Sequence, residues 1–140
     1  MTDEAIRTVL ERYWSDIGDH ELYEELYDED VVVEFPQGGE RIRGRENLRA
    51  MRVAYPAAVI GTLQHMRGGG DLWVTELLLT YDGVRPTYGV SIMEVRGGKV
   101  ARETIYAGEP WESPAWRSEW VELMERPTDP APPAVSVGER

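Results

Sequence analysis

The first third of the chain carries apolar residues at the spacing of one helical face. From Ile6 to Ile17 they recur every three or four positions, which predicts an amphipathic helix packed on a core. Asp3 supplies negative charge at the start of this helix, and Gly18 supplies a stop at its end. A second helix is predicted after a cap at Asp19. The residues expected to face inward from it are Leu22, Tyr23, Leu26 and Tyr27.

A strand, a turn and a third helix follow. Val31–Phe35 is rich in β-branched residues and predicts a strand. The strand ends at Pro36, because proline has no N–H to donate to a sheet. Glu40–Arg43 predicts a short return strand. A third helix is predicted for Arg45–Tyr55, since its apolar residues fall on one face and Pro56 follows it.

The second half of the chain changes to the alternating pattern typical of strands. Glycine-rich turns separate four predicted strands, which span Thr62–Met66, Leu72–Tyr81, Pro86–Val95 and Val100–Ala107. Helices followed by antiparallel strands predict an α+β fold.

The length of 140 residues predicts one domain, which we place at residues 1–126. Its last segment, residues 109–125, carries Trp111, Trp116 and Trp120. This segment is expected to pack back on the domain, either over a pocket or over the sheet at a dimer interface. Residues 127–140 contain four prolines and few apolar side chains, so a disordered tail is predicted there.

Composition narrows the classes of partner. The formal charge of −11 at pH 7 argues against nucleic acids and anionic membranes, since both would repel the chain. The absence of cysteine excludes disulfides, thiolate catalysis and cysteine-ligated metals. We expect no metal site and no cofactor. The sequence shows neither a signal-peptide pattern nor an apolar run of membrane-spanning length, which predicts a cytoplasmic protein.

Three segments of the chain match a known family in their order and spacing. They are VLERYWSDIGDHELYEELYDEDVVVEFP, GERIRGRENLRAM and GVSIMEVRGGKVARETIYAGEP. In this order they resemble the NTF2-like superfamily, particularly its SnoaL-like and ketosteroid-isomerase-like branch. The resemblance covers the chain from Ile6 to about Trp120. It implies a strongly curved antiparallel sheet that wraps around the helices to form an NTF2-like cone with an apolar pocket. It also implies a homodimer formed through the outer face of the sheet.

The resemblance also assigns roles to three positions. The isomerases of the family use a Tyr on the first helix, an Asp before a strand-ending Pro and a second Asp on a later strand. Tyr13 falls at the first position, but Phe35 and Ser91 stand at the other two. A phenyl ring cannot take a proton from carbon, so the isomerase reaction is not expected from that residue set.

Strand alternation and the resemblance together indicate which residues face the pocket. Alternate residues of a strand share a face, and the resemblance places Glu103 on the inward one. A carboxylate on an apolar wall has a raised pKa and suits a general acid or base. The alternative is a surface Glu paired with Arg102 or Arg96, or a buried structural salt bridge. The residues expected to line the pocket are Phe35, Trp73, Thr75, Leu77, Leu79, Ser91, Met93 and Ile105.

Two other residues are candidates for catalysis. His65 lies on a predicted strand where some dehydratases and cyclases of the family carry a pocket histidine, and imidazole exchanges protons near neutral pH. The alternative is a partly exposed strand residue. Tyr13 would polarise a carbonyl oxygen, unless it is a core residue bonded to the backbone.

A stripe of arginines with interleaved acids lies around the third helix. The interleaving predicts ion pairs within the chain, although binding of an anionic group at the edge of the cone stays open. The arginines are Arg41, Arg43, Arg45, Arg49 and Arg52.

The sequence leaves two hypotheses for the function. In the first, Tyr13, His65 and Glu103 converge on a small apolar or carbonyl-containing ligand. They would catalyse cofactor-independent proton transfer of the isomerase, cyclase or dehydratase type. In the second, the chain is a non-catalytic ligand-binding or dimeric interaction protein with the same fold.

Overall fold

The helices precede most of the sheet, as the hydrophobic pattern predicts. The computed structural model describes residues 2–17, 19–55, 59–82 and 86–128. Its helices and strands in chain order are α1 (Asp3–Ser15), α2 (His20–Leu26), β1 (Tyr27–Phe35), β2 (Glu40–Arg43), α3 (Arg45–Ala54), β3 (Val59–Gly69), β4 (Leu72–Tyr81), β5 (Thr87–Arg96) and β6 (Lys99–Gly108). Short 3-10 helices span Pro36–Gly38 and Ala115–Arg117. No helix in these ranges has the length and apolar character needed to cross a membrane.

The six strands form one curved, open sheet in the order β2-β1-β6-β5-β4-β3. Neighbouring strands are antiparallel except β1 and β6, which run parallel. The predicted α+β fold is therefore confirmed. The parallel pair arises because β1 is not joined to β6 by a hairpin, and a long connection through α3 and β3–β5 separates them.

Side-chain caps explain where the first two helices begin. Thr2 caps α1 and Asp19 caps α2, each by accepting a hydrogen bond from a backbone N–H of the first turn, at 3.1 and 3.0 Å. Burial of the apolar face of α1 stabilises the fold by about 1.5–3 kcal/mol for each large side chain. The buried residues of α1 are Ile6, Val9, Leu10, Tyr13 and Trp14. The stops predicted at Gly18 and Pro56 lie outside the described residues.

Three strands are longer than predicted, and β6 gains one residue at each end. β1 begins at Tyr27 instead of Val31, so Tyr27 belongs to the sheet and not to the inward face of α2. β3 extends from Val59 to Gly69, because β4 offers backbone partners along this whole length.

The turn between β1 and β2 is tied to the end of β6, the strand beside β1 in the sheet. Gly39 adopts a φ of 64° after the 3-10 helix, a conformation that glycine takes without strain. The amide of Gln37 donates to the carbonyl of Ala107 at 2.6 Å and accepts from its N–H at 2.7 Å. This pair of bonds fixes the turn against β6.

One face of the sheet packs against the helices, and we call it the inner face. On β4 this face carries four buried residues, Trp73, Thr75, Leu77 and Leu79. Met93 of β5 pairs with Trp73, and Glu103 of β6 pairs with Met93. Since partners across antiparallel strands share a face, Glu103 also points inward, and it is fully buried.

The tryptophan-rich segment after β6 does not pack on the domain as predicted. The side chains of Trp111, Trp116 and Trp120 are each at least 73% exposed. Prolines at positions 110 and 114 interrupt the backbone, so no helix gathers these rings on one face. The segment returns to the domain at Thr128, which is buried and donates a hydrogen bond to the hydroxyl of Tyr88 at 3.0 Å. The rest of the predicted tail lies outside the described residues.

Candidate functional site

A cavity of about 830 Å³ lies between α3, the β1–β2 hairpin and the inner face of the sheet. Four residues expected to line a pocket do line this cavity: Phe35, Leu77, Leu79 and Ile105. Four others are buried in the core instead, each at most 1% exposed: Trp73, Thr75, Ser91 and Met93. These four side chains are therefore part of the buried interior and do not line the cavity.

A chain of buried polar groups begins at Glu103. Its Oε1 accepts a hydrogen bond from the hydroxyl of Tyr27 and its Oε2 accepts one from Ser91, both at 2.6 Å. All three residues are fully buried. Burial raises the pKa of Glu103, while the charge of Arg52 and the two hydrogen bonds act in the opposite direction.

The chain continues through a second tyrosine to an arginine. The hydroxyls of Tyr27 and Tyr13 lie 3.2 Å apart, and Tyr13 accepts a hydrogen bond from Nη1 of Arg52. The same Nη1 donates to the hydroxyl of Tyr23 at 3.4 Å. When Glu103 is ionised, Tyr27 gives its single proton to the carboxylate, so Tyr13 must donate to Tyr27. Two phenols thus join a cation to an anion.

Ring packing holds these tyrosines in place. Tyr13 meets the rings of Tyr23 and Tyr27 edge to face, with centroids 5.6 Å apart in both pairs. Tyr23 and Tyr27 stack at 5.8 Å. Burial, the largest cause, raises the pKa of Tyr13 and of Tyr27 above the ordinary 10.0. Both phenols therefore keep their protons at neutral pH and remain hydrogen-bond donors.

Arg52 connects this buried chain to the cavity, which it lines from α3. Within the described residues both of its hydrogen bonds come from Nη1, so Nε and Nη2 keep donors for a ligand. The other two arginines of the cavity wall, Arg41 and Arg49, are paired with Glu34 at 2.6 Å and Glu46 at 3.1 Å. Arg52 has no such carboxylate partner in the described part of the chain. It is suited to bind an oxygen that carries negative charge.

The structure brings Tyr13 and Glu103 together through Tyr27, but it separates His65 from them. The His65 side chain is 64% exposed and lies 3.6 Å from the carboxylate of Glu76. A register shift before His65 pairs it with Glu76, on the outer face. A bulge of this kind inserts one residue and reverses side-chain parity beyond it. The hypothesis of a converging Tyr13, His65 and Glu103 set is corrected accordingly.

The roles of Tyr27 and Arg52 in the buried polar chain do not follow from the sequence pattern. The sequence assigns Tyr27 to α2 instead of β1, because nothing in the apolar pattern marks the boundary between them. A signal for Arg52 does exist: it lies four residues after the buried Leu48, and this spacing places both on one helical face. No group of three His, Asp or Glu side chains in the described ranges could hold a metal ion.

Comparison with known proteins identifies the family. The SnoaL-like domain model matches residues 4–103. An NTF-2 like protein of unknown function from Burkholderia xenovorans is 44% identical, with a TM-score of 0.76 over 89% of this chain and 99% of that chain. A proposed ketosteroid isomerase from Kribbella flavida is 32% identical, with a TM-score of 0.76 over 93% of this chain and 98% of that one.

A more distant structure shares the fold. A proposed polyketide cyclase from Sinorhizobium meliloti is 20% identical, with a TM-score of 0.61 over 73% of this chain and 94% of that one. No curated protein matches the chain. On its domain match and its similarity to these structures, the chain belongs to the SnoaL-like family of NTF2-like proteins.

Proposed function

We propose that this chain binds a small, largely apolar carbonyl compound in the cavity and promotes proton transfer next to the carbonyl group. The reaction would be of the isomerase, cyclase or dehydratase type. The names of two similar structures, a proposed ketosteroid isomerase and a proposed polyketide cyclase, support this class of substrate. The observation that carries the proposal is Arg52, whose Nε and Nη2 donors face no described partner in a largely apolar wall.

Arg52 would stabilise the charge that develops during the reaction. Removal of a proton from the carbon next to a carbonyl leaves negative charge on the carbonyl oxygen. A guanidinium that donates to this oxygen lowers the barrier, and apolar walls strengthen the interaction by excluding water. Because Tyr13 already holds Nη1, the group needs no reorientation when the charge appears.

Tyr13 and Glu103 are positioning residues in this proposal. Both are fully buried and neither lines the cavity, so they act through Arg52 and do not contact the ligand. Tyr13 fixes the orientation of the guanidinium. The negative charge of Glu103 compensates the positive charge of Arg52, which limits the free-energy cost of removing that cation from water.

A second function is ligand binding without a chemical reaction. The burial of Tyr13 and Glu103 away from the cavity favours it. The carboxylate of Glu103 does not reach the cavity, and Phe35 offers no proton acceptor where isomerase relatives hold an acid. A ligand carrier would use the same cavity and the same arginine.

The test uses 2-tetralone, a small bicyclic ketone with acidic hydrogens next to its carbonyl. Quenching of tryptophan fluorescence measures binding, since Trp14 lines the cavity. Exchange of the acidic hydrogens for deuterium in D2O, followed by NMR and corrected for the buffer rate, measures proton transfer. We expect the wild type to bind and exchange, and Arg52→Met to exchange about 100-fold more slowly, as for loss of one oxyanion donor.

Arg43→Met is the matched control, because Arg43 is exposed on β2 and does not line the cavity. It should leave both measurements unchanged. Binding without exchange by the wild type would assign the second function. Absence of binding would contradict both functions.

A further inference from the structure

We propose that Glu40 is the proton acceptor of this site, placed on the β1–β2 hairpin across the cavity from Arg52. The inference rests on the proposed function, since a base is needed only if the bound ligand loses a proton.

Proton transfer from carbon requires a base that reaches the cavity. Among the described residues that line it, Glu40 is the one carboxylate. The neighbouring acids Glu34 and Glu46 form ion pairs with arginines, and Glu103 is fully buried in the core. Glu40 forms no hydrogen bond or ion pair with the described residues, so its oxygen lone pairs are available to a ligand.

Strand register directs Glu40 toward the cavity. It pairs with Phe35 across the hairpin, so the two side chains lie next to each other on one face. Ile42 shares that face, two residues further along β2, and pairs with the fully buried Val33. The face is therefore the inner one, and Phe35, Glu40 and Ile42 all line the cavity.

The turn before Glu40 is fixed and leaves room for its carboxylate. The two bonds between Gln37 and Ala107 fix the turn to β6. Oε1 of Glu40 occupies the space that a Cβ on Gly38 would need. Glycine at this position therefore makes room for the carboxylate, which rests over a fixed turn.

Helix geometry brings Arg52 back to the level of Glu40. Four strand residues carry the chain about 13 Å from Glu40 to Gly44. Arg45 at the start of α3 donates to the carbonyl of Tyr27 at the start of β1, and α3 packs against β1 and β2, so it leads from that end of β1 back towards the turn. The eight residues from Gly44 to Arg52 return about 12 Å. A ligand whose carbonyl oxygen contacts Arg52 can therefore present a neighbouring C–H bond to Glu40.

The step conserves atoms and electrons. An oxygen of Glu40 takes the proton, the C–H electron pair becomes the C=C bond of an enolate, and the carbonyl π pair moves to the oxygen bound by Arg52. The resulting carboxylic acid returns a proton to the same carbon or, in an isomerisation, to another carbon of the conjugated system. Because Glu40 is exposed, its acid proton exchanges with solvent between the two transfers, and deuterium enters the ligand in D2O.

Exchange of 2-tetralone hydrogens in D2O tests the role of Glu40. We expect Glu40→Gln to bind the ketone with about the wild-type affinity but to exchange its hydrogens about 100-fold more slowly, the usual contribution of a general base. Glu40→Asp should give an intermediate rate. Glu11→Gln makes the same change of charge at an exposed position of α1 and should keep the wild-type rate.

Gly38→Ala provides a second variant that keeps the carboxylate but displaces it. The atom in conflict is the end of a flexible side chain, so thermal stability should stay unchanged while exchange slows several-fold. A wild-type exchange rate in Glu40→Gln would overturn the role of Glu40 and leave the proposed function intact. Wild-type protein that binds the ketone without exchange would refute the proton-transfer function, and this inference with it.

Discussion

Tyr27→Phe removes one oxygen atom from the middle of the buried polar chain. That hydroxyl takes part in two hydrogen bonds, 2.6 Å to Glu103 and 3.2 Å to Tyr13. A bond to a charged group contributes about 1.5–3 kcal/mol and a neutral one about 0.5–1.5 kcal/mol. We therefore expect the free energy of unfolding to fall by about 2–4.5 kcal/mol, a large part of the roughly 5–15 kcal/mol typical of a domain.

Urea unfolding followed by tryptophan fluorescence measures this loss, with the free energy extrapolated linearly to water. Tyr106→Phe is the matched control. Tyr106 lies on β6, as Glu103 does, but its side chain is 43% exposed. The control should stay within about 0.5 kcal/mol of the wild type, as surface substitutions usually do.

A double-mutant cycle with Glu103→Gln isolates the bond between the two residues. Since the bond joins a phenol to a carboxylate, the coupling should be about 1.5–3 kcal/mol. A stabilising role of the Tyr27 hydroxyl would be contradicted if Tyr27→Phe lost no more stability than Tyr106→Phe, or if the coupling were close to zero. Either result would mean that the buried carboxylate does not depend on this donor.

Three further predictions concern pH, the cavity and assembly. Burial raises the folded-state pKa of Glu103 above its ordinary 4.5. Protonation of Glu103 therefore stabilises the folded state, fully below pH 4.5, and this stabilisation is lost as the pH rises through the folded-state pKa. Urea unfolding over a pH series should show wild-type stability falling relative to Glu103→Gln in that window, and parallel profiles would contradict this sign. A Cβ on Gly89 would lie 2.8 Å from Cδ1 of Leu79, so Gly89→Val should lower stability by about 1–3 kcal/mol and weaken 2-tetralone binding, whereas unchanged affinity would place the ligand elsewhere. The homodimer implied by the family resemblance predicts a mass by light scattering of about 32 kDa, twice the 15.9 kDa of one chain, and a monomer at micromolar concentration would count against it.

Strand alternation determines which face a residue occupies, but not what covers that face. Trp73 and Leu77 share the inner face of β4 and both are buried. Leu77 nevertheless lines the cavity, while Trp73 lies under the helices. The difference depends on where along the strand the helices stop covering the sheet. That position is set by long-range packing, which a periodic pattern does not record.

His65 and Arg52 show two other limits of the sequence. The register shift before His65 reverses side-chain parity without any marker in the pattern of apolar residues. The inward position of Arg52 could have been predicted, because its spacing from Leu48 places a cation on an apolar helical face. The neighbouring arginines and acids favour surface ion pairs instead, so the pattern as a whole does not single out Arg52.

The contacts that define the site join distant parts of the chain. Tyr27 and Glu103 are 76 residues apart, and Gln37 and Ala107 are 70 apart. Both contacts require β6 to lie beside β1. Among the described strands β1 is synthesised first and β6 last. Contacts between such distant residues form late, because a long loop must close before they add stability. A fragment that ends before β6 would therefore lack both the buried carboxylate and the bonds that fix the Glu40 turn, and the proposed ligand site would form only after β6 has been synthesised.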